Sequence, residues 1–206
     1  MKGKRICILN YGSGNVGSVA NMVKYLGYNV VISNNKNDIQ NSTHLILPGV
    51  GAFGSSMEKI ISNIPIDVVE NQIINNFKPF LGICVGMQIL ADIGYEFGEF
   101  TGLGWIPGIV KKLDSKQQPL PHIGWNNIAI KNAHKILNGF YERPDFYFVN
   151  SYVYECKESN NVIAETEYGS VFPSIINKNN IFGVQFHPEK SQKAGQLLFK
   201  NFIEVV

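Results

Sequence analysis

Residues 80–91 read FLGICVGMQILA, an apolar strand pattern that changes into a helical pattern at Cys84. The core of the segment, Gly82-Ile83-Cys84-Val85-Gly86, has the form Gly-x-nucleophile-x-Gly, which is typical of a strand-to-helix turn too tight for flanking side chains. At such an elbow the helix N-terminus directs free N–H groups toward the nucleophile and favours a thiolate. A buried cysteine between packing glycines would give the same pattern, so a catalytic hypothesis requires a base.

A candidate base lies near the other end of the chain, in Phe186-His187-Pro188-Glu189, after the apolar run 181–185. In an extended chain, positions i and i+2 point to the same side, so Glu189 is expected to orient the His187 imidazole. His187 would then take the proton from Cys84. This is the nucleophile–base–orienter arrangement of catalytic triads, whose members are adjacent in space rather than in sequence. The other three histidines are interpreted as surface or core residues.

Composition narrows the class of protein. The 206 residues are 45% hydrophobic, which is enough for one domain spanning 1–206, and the net charge of +2 does not favour a nucleic-acid partner. Three widely spaced cysteines suit a reducing compartment and form no Cys-x-x-Cys metal pattern. The apolar run after the basic N-terminus is too short for a signal peptide, and no stretch is long enough to span a membrane. We therefore expect a cytoplasmic protein without a bound metal.

Strand and helix patterns alternate through the first half of the chain. Strands are predicted at 5–9, 30–33, 44–47 and 80–83, with helices at 16–26, 55–61, 66–76 and 86–91. After residue 108, short strands separated by turns are predicted at 128–130, 146–149, 162–166, 170–176 and 181–185, and a helix at 190–205. Residues 94–104 and 113–121 are predicted loops. The pattern predicts an α/β fold, an open and mostly parallel sheet with helices on both faces and a partly antiparallel extension.

One glycine motif resembles a dinucleotide-binding fingerprint. Gly12-Ser13-Gly14-Asn15-Val16-Gly17 fits Gly-x-Gly-x-x-Gly between a strand and a helix. That function also needs an acidic residue at the end of the second strand, where this chain has Ser33-Asn34-Asn35-Lys36-Asn37 and reaches Asp38 only beyond the loop. We interpret the glycines as a turn at the carboxyl edge of the sheet, the edge along which open α/β sheets bind ligands.

Taken together, the motifs resemble those of class I (triad) glutamine amidotransferases, which have a flavodoxin-like fold, and specifically the glutaminase subunit of imidazole glycerol phosphate synthase. The resemblance runs almost end to end and rests on residues 10–15, 48–54, 82–88, 121–126, 148–152 and 186–191. The cysteine and His-Pro-Glu motifs identify the class. Pro-Gly-Val-Gly, Pro-His-Ile-Gly-Trp-Asn and the Lys-Ser that follows His-Pro-Glu narrow it to this subunit.

The resemblance implies a mechanism that needs no cofactor. Cys84 would attack the carboxamide of L-glutamine, His187 held by Glu189 would protonate the departing ammonia, and water would then release glutamate from the thioester. The oxyanion of each step would be bound by the main-chain N–H groups of Val85 and Val50. Glycines on both sides of Val50 would let that peptide reorient and gate the site, although a plain turn after a strand explains them equally.

The resemblance also implies substrate contacts, partly through main chain, at Gly49, Gln88, Asn150, Ser151 and Tyr152. The family commonly has His at the position of Asn150, so a main-chain contact would survive there while a side-chain contact is in doubt.

By the same resemblance the partner is a (β/α)8-barrel cyclase, which forms a heterodimer with this subunit and uses the ammonia to make imidazole glycerol phosphate in histidine biosynthesis. Because the ammonia must avoid bulk water, the partner is expected to cover the active-site face. The candidate contacts are Asn10, Asn15, Trp125 and Lys190, with Trp125 as the anchor. Trp125 as core filler and Lys190 as a solvated side chain are the alternatives.

Three other functions fit the same motifs. A paralogous amidotransferase pair could serve amination of surface sugars. A Cys-His hydrolase of the same fold could act on peptide or ester carbonyls without a partner. A third possibility is a binding subunit that keeps the fold without catalysis.

Overall fold

The computed structural model describes residues 3–141 and 143–205. Its strands and helices are, in chain order, β1 Arg5–Ile8, α1 Val16–Tyr25, β2 Asn29–Ile32, α2 Lys36–Asn41, β3 His44–Gly49, α3 Phe53–Asn63, α4 Ile66–Glu70, β4 Phe80–Cys84, α5 Val85–Gln88, β5 Ile93–Gly94, β6 Phe100–Thr101, β7 Gly108–Lys112, β8 His122–Asn127, β9 Ala129–Ile130, β10 Asp145–Asn150, β11 Tyr152–Cys156, β12 Val162–Tyr168, β13 Ser170–Lys178, β14 Ile181–Val184 and α6 Gln192–Val205. A π-helical turn, Asn71–Asn75, continues α4, and a 3-10 turn, Pro188–Lys190, precedes α6.

The main sheet has eight strands in the order β2-β1-β3-β4-β14-β13-β12-β9. The first five are parallel and follow the doubly wound order of flavodoxin-like sheets, whereas the last three continue the sheet in antiparallel pairs. The register sets Gly49 beside Cys84 and Val184 beside Ile83, so the carboxyl ends of the central strands meet at one edge. The predicted α/β class, mostly parallel with an antiparallel extension, is confirmed.

The centre of the sheet is covered on both faces. Strands β3, β4 and β14 are buried along their whole length, a pattern that requires packing partners above and below. Helix α1 buries Val19 and Val23, and α6 buries Leu198 and Phe202, all of them at predicted apolar positions. In the part of the chain that the structure describes, no helix combines the length and apolar character needed to cross a membrane.

Two smaller sheets lie beside the main one, and most of their strands were absent from the sequence prediction. Strands β8 and β10 form an antiparallel pair, while β11, β7, β5 and β6 form the other sheet. The two-residue strand β5 overlaps the start of the predicted loop 94–104, and the two-residue strand β6 lies inside it. The register of the β8–β10 pair sets Trp125 opposite Tyr147 and His122 opposite Asn150.

Helix α5 is shorter than predicted, because it ends at Gln88 instead of continuing to Ala91. The carbonyl groups of Ile89, Leu90 and Ala91 accept hydrogen bonds from the N–H groups of Leu103, Ile106 and Gly104. These carbonyl groups are hydrogen-bonded to residues 103–106, so they do not accept from a following turn of helix. The helical spacing of 86–91 described a buried face correctly but not its hydrogen bonding.

Candidate active site

Cys84 lies at the corner between β4 and α5 in a strained conformation, with φ 56° and ψ −112°. The two flanking glycines are required by backbone contacts. A Cβ atom on Gly82 would lie 2.2 Å from the carbonyl oxygen of Gly86, and one on Gly86 would lie 1.9 Å from the carbonyl oxygen of Leu47. The tight elbow predicted from the sequence is therefore present, and Cys84 sits at the carboxyl edge of the sheet.

His187 and Glu189 form a buried pair next to this elbow. The distance from His187 Nδ1 to Glu189 Oε1 is 2.9 Å, and the two side chains are only 5% and 1% exposed. Burial by itself lowers the pKa of His187, but the facing Cys84 and Glu189 outweigh burial and raise it above its ordinary value. The predicted contact is present, although its basis differs, because Glu189 belongs to the 3-10 turn and not to extended chain.

A cavity of about 230 Å³ opens above Cys84 and fits a molecule the size of one amino acid. Its lining residues are Val50, Gly51, Cys84, Val85, Gln88, Glu96, Pro121, Val149, Asn150, Ser151, Tyr152 and His187. The predicted oxyanion positions and most predicted substrate contacts are therefore brought together. Gly49 is different, because it lies behind the wall, where an added Cβ would be 2.6 Å from the Gly86 nitrogen.

Three side-chain amides lie in or next to the cavity at Cys84. Gln88 Nε2 donates to the Tyr152 carbonyl oxygen at 3.0 Å and to Gln185 Oε1 at 3.1 Å, and Gln185 Nε2 lies 3.8 Å from Cys84 Sγ. Asn150 Nδ2 also donates to the Tyr152 carbonyl, at 3.3 Å, while Asn150 Oδ1 has no partner among the described residues. Gln185 was missed in the sequence, where it was interpreted only as the end of the β14 strand.

Glu96 was also missed, since it lies in a segment predicted to be a loop. Its Oε2 atom accepts a hydrogen bond from the Phe53 N–H at 2.8 Å. Burial raises the pKa of Glu96, and the Phe53 hydrogen bond opposes that rise. Of the described residues that line the cavity, Glu96 is the one acidic side chain. The available signal in the sequence for a functional residue was an acidic side chain within the glycine-rich segment 94–104.

The predicted partner contacts lie near the same edge. Trp125 is 49% exposed and packs edge-to-face on Tyr147, with ring centroids 6.1 Å apart, and Lys190 Nζ lies 5.7 Å from the centre of the Tyr147 ring. Trp125 is therefore not core filler. Asn10 holds its own turn by accepting from the Gly12 N–H, and Asn15 precedes α1 without a side-chain cap bond.

The glycine motif at residues 12–17 packs against the active-site edge. A Cβ atom on Gly14 would lie 2.6 Å from the Pro48 carbonyl oxygen, so glycine is needed for close approach to the segment that carries Val50. This contact agrees with the interpretation of the motif as a turn close to the active site.

The fold is an α/β sheet whose carboxyl edge carries the Cys84 elbow next to the buried His187–Glu189 pair. The class-I glutamine amidotransferase family model matches residues 7–205, and the chain belongs to this family. Imidazole glycerol phosphate synthase subunit HisH 2 of Methanococcus maripaludis is 41% identical over 200 residues, covering 97% of this chain and 98% of that protein.

A second relative and a solved structure agree with this assignment. Imidazole glycerol phosphate synthase subunit HisH of Leptospira interrogans is 43% identical over 201 residues, covering 96% of this chain and 98% of that protein. A crystal structure described as a glutamine amidotransferase superimposes with a TM-score of 0.75 at 18% identity, covering 97% of both chains, and supports the fold.

Proposed function

We propose that this chain is the glutaminase subunit of an imidazole glycerol phosphate synthase, in which it hydrolyses L-glutamine to glutamate and supplies the ammonia to a second subunit for histidine biosynthesis. The observation that carries this proposal is the strained Cys84 elbow beside the buried His187–Glu189 pair, at a cavity sized for one amino acid. Relatives that carry this subunit's name and match almost the whole chain support it.

In the proposed first half-reaction, Cys84 Sγ attacks the side-chain carboxamide carbon of L-glutamine. His187 holds the proton taken from the thiol, because Cys84 and Glu189 raise the pKa of its imidazole. It delivers that proton to the departing nitrogen, ammonia leaves, and a glutamyl thioester remains on Cys84. In the second half-reaction His187 takes a proton from water, and the hydroxyl attacks the thioester carbon. The C–S bond breaks, glutamate is released, and His187 returns the proton to Cys84 Sγ.

Each half-reaction passes through a tetrahedral oxyanion that needs donors already in position. The main-chain N–H groups of Val85 and Val50 are the proposed donors, since both residues line the cavity beside Cys84. Gly51, with φ 106°, occupies a conformation that favours glycine. We propose that it permits the Val50 peptide to turn toward the substrate.

The cavity also offers groups for the amino-acid end of glutamine. Glu96 is the proposed partner of the α-ammonium group, because opposite charges attract strongly at a partly buried site. Both N–H groups of the Gln88 amide are already used by Tyr152 and Gln185, which leaves Gln88 Oε1 to accept from the ligand. The Asn150–Tyr152 segment would contribute main-chain groups. Such a contact does not depend on the side chain, so it is preserved with Asn at position 150, where the family commonly has His.

The proposed partner is a (β/α)8-barrel cyclase, and the whole chain, 1–206, is proposed to act as one cytoplasmic amidotransferase domain. Ammonia that escaped into water would be protonated and lose its nucleophilicity, so the partner should cover the cavity. The exposed cluster of Trp125, Tyr147 and Lys190 at that edge combines an aromatic anchor with a cation, a composition favoured at interfaces.

The enzymatic half of the proposal is tested with the glutamine analogue diazo-oxo-norleucine. We expect covalent labelling at Cys84, detected by peptide mapping and prevented by excess L-glutamine. The other two cysteines are internal controls, because burial raises the pKa of Cys7 and of Cys156 to about 12 and keeps both as thiols. Labelling of Cys7 or Cys156, or no labelling, would favour a partner-independent hydrolase or a non-catalytic subunit.

The partner interface is tested with Trp125→Ala. Loss of a central aromatic anchor should weaken association with the cyclase by about 2 kcal/mol, roughly 30-fold in Kd, measured by calorimetry. Phe77→Ala is the control, since Phe77 is 65% exposed and precedes β4 at the opposite edge of the sheet. Unchanged affinity together with a lower melting temperature would assign Trp125 to folding and move the interface elsewhere.

A further inference from the structure

We propose that Gln185 is a further catalytic group of this site, whose side-chain N–H stabilises the Cys84 thiolate and whose carbonyl oxygen links that thiolate to Gln88 in the substrate cavity. The proposal rests on the proposed role of Cys84 as the nucleophile. Gln185 would be a second hydrogen-bond donor to Cys84, and unlike the His187 imidazole its amide does not change protonation state.

The orientation of the Gln185 amide follows from its neighbours. The Tyr152 carbonyl can only accept, so Gln88 must present its NH2 group there, at 3.0 Å. The same nitrogen lies 3.1 Å from the Gln185 side chain, which must therefore present its oxygen to Gln88. The remaining end of the Gln185 amide, its NH2 group, faces Cys84 Sγ at 3.8 Å. Turning either amide over would set two donors or two acceptors against each other.

Burial makes this donor effective. Gln185 is 0% exposed, and its main-chain N–H donates to the Ser174 carbonyl at 3.0 Å, which holds the backbone in place. In such surroundings a hydrogen bond to a charged acceptor is stronger than in water, because no solvent competes for it. The protonated thiol of Cys84 has another contact, the Val149 carbonyl at 3.9 Å. That carbonyl repels a thiolate, so Gln185 favours the charged form that Val149 disfavours.

An amide supports both half-reactions because it does not titrate. In the first it stabilises the attacking thiolate. In the second it stabilises the same thiolate as the leaving group when the tetrahedral intermediate collapses, at the stage when His187 carries the proton taken from water. No change in protonation is needed at Gln185 for either role.

The link to Gln88 couples substrate binding to the nucleophile. Gln88 lines the cavity, whereas Gln185 lies behind it and has no direct contact with the space that a ligand would fill. A ligand donor bound to Gln88 Oε1 polarises that amide and strengthens its hydrogen bond to Gln185 Oε1. The Gln185 N–H then becomes a better donor to Cys84, as expected for a chain of hydrogen bonds.

The test uses Gln185→Met, which keeps the length of the side chain and removes the donor. The measurements are the pH profile of Cys84 alkylation by iodoacetamide, followed by peptide mapping, and glutaminase kinetics of the reconstituted complex. We expect the alkylation midpoint to rise by about one pH unit and kcat to fall roughly tenfold, with KM changed less. Gln185→Glu, which offers an oxygen in place of the NH2 group, should shift the midpoint further, and it carries the test if the Met variant does not fold.

Gln72→Met is the matched control, because Gln72 is a buried glutamine in the π-helical turn at the opposite edge of the sheet. It should alter neither the alkylation profile nor kcat. A midpoint and a kcat in folded Gln185→Met equal to those of the wild type would overturn the proposal. Failure of the proposed function is a separate result, since it would leave the wild-type complex without glutaminase activity while alkylation still reports on the thiolate.

Discussion

Replacing Cys84 with alanine is expected to abolish glutamine-dependent synthesis by the reconstituted synthase, while synthesis driven by ammonium salt continues. The thioester cannot form without the sulfur, and removal of the nucleophile from a comparable triad lowers kcat on the order of 10⁶-fold. Under the proposed function, the second subunit uses ammonia from either source together with its own substrate. Product formation measured with each nitrogen source separates glutamine hydrolysis from the synthase reaction.

Cys156→Ala is the control for this experiment, because Cys156 lies on β11 and does not line the active-site cavity. Both activities should persist in that variant. If Cys84→Ala lost the ammonium-driven activity as well, Cys84 would be required for assembly or for the second reaction, and its assignment as a nucleophile confined to the glutaminase would be wrong.

Glu189→Gln is expected to preserve the fold and lower the glutaminase kcat by up to about 10⁴-fold, the effect of an orienting carboxylate in related triads. Burial lowers the pKa of His187, and the variant removes one of the two charges that raise it. The pKa of His187 therefore falls. Since the imidazolium exists below that pKa, the alkaline limb of the kcat profile should move to lower pH, a shift that can be followed across the pH range.

Glu165→Gln provides a comparison. Glu165 lies on β12 opposite Ala129 of β9, forms an ion pair with Lys131, and is outside the active-site cavity. It should leave kcat within about twofold, as expected for a surface ion pair. A wild-type rate and an unshifted profile in Glu189→Gln would remove Glu189 from the active site.

The elbow was predictable because its steric requirement is recorded in residue type. Backbone atoms approach Gly82 and Gly86 so closely that no Cβ fits, which leaves glycine as the residue for each position. The strands of the main sheet were equally accessible, since burial on one or both faces of a strand leaves a pattern in the sequence. The pairing of His187 with Glu189 was found because the two residues are separated by a single position.

The features that the sequence did not reveal depend on partners far along the chain. The end of α5 at Gln88 follows from carbonyl groups that accept from residues 103–106. Strand β8 exposes Ile123 and Trp125, so its apolar residues do not mark a buried face. Glu96 enters the cavity only because its loop folds onto Phe53, 43 positions earlier.

The sequence by itself therefore determined the class of fold, the elbow at Cys84 and the pairing of His187 with Glu189, because these follow from burial patterns, from glycines that leave no room for a Cβ atom and from residues two positions apart. Tertiary structure alone decided how the cavity is lined and which amide faces Cys84 Sγ. Gln185 and Cys84 lie 101 positions apart and meet only because β14 pairs with β4 in the sheet. A hydrogen bond between groups so distant in the chain leaves no periodicity or spacing in the sequence, since its geometry is set by the packing of the whole sheet.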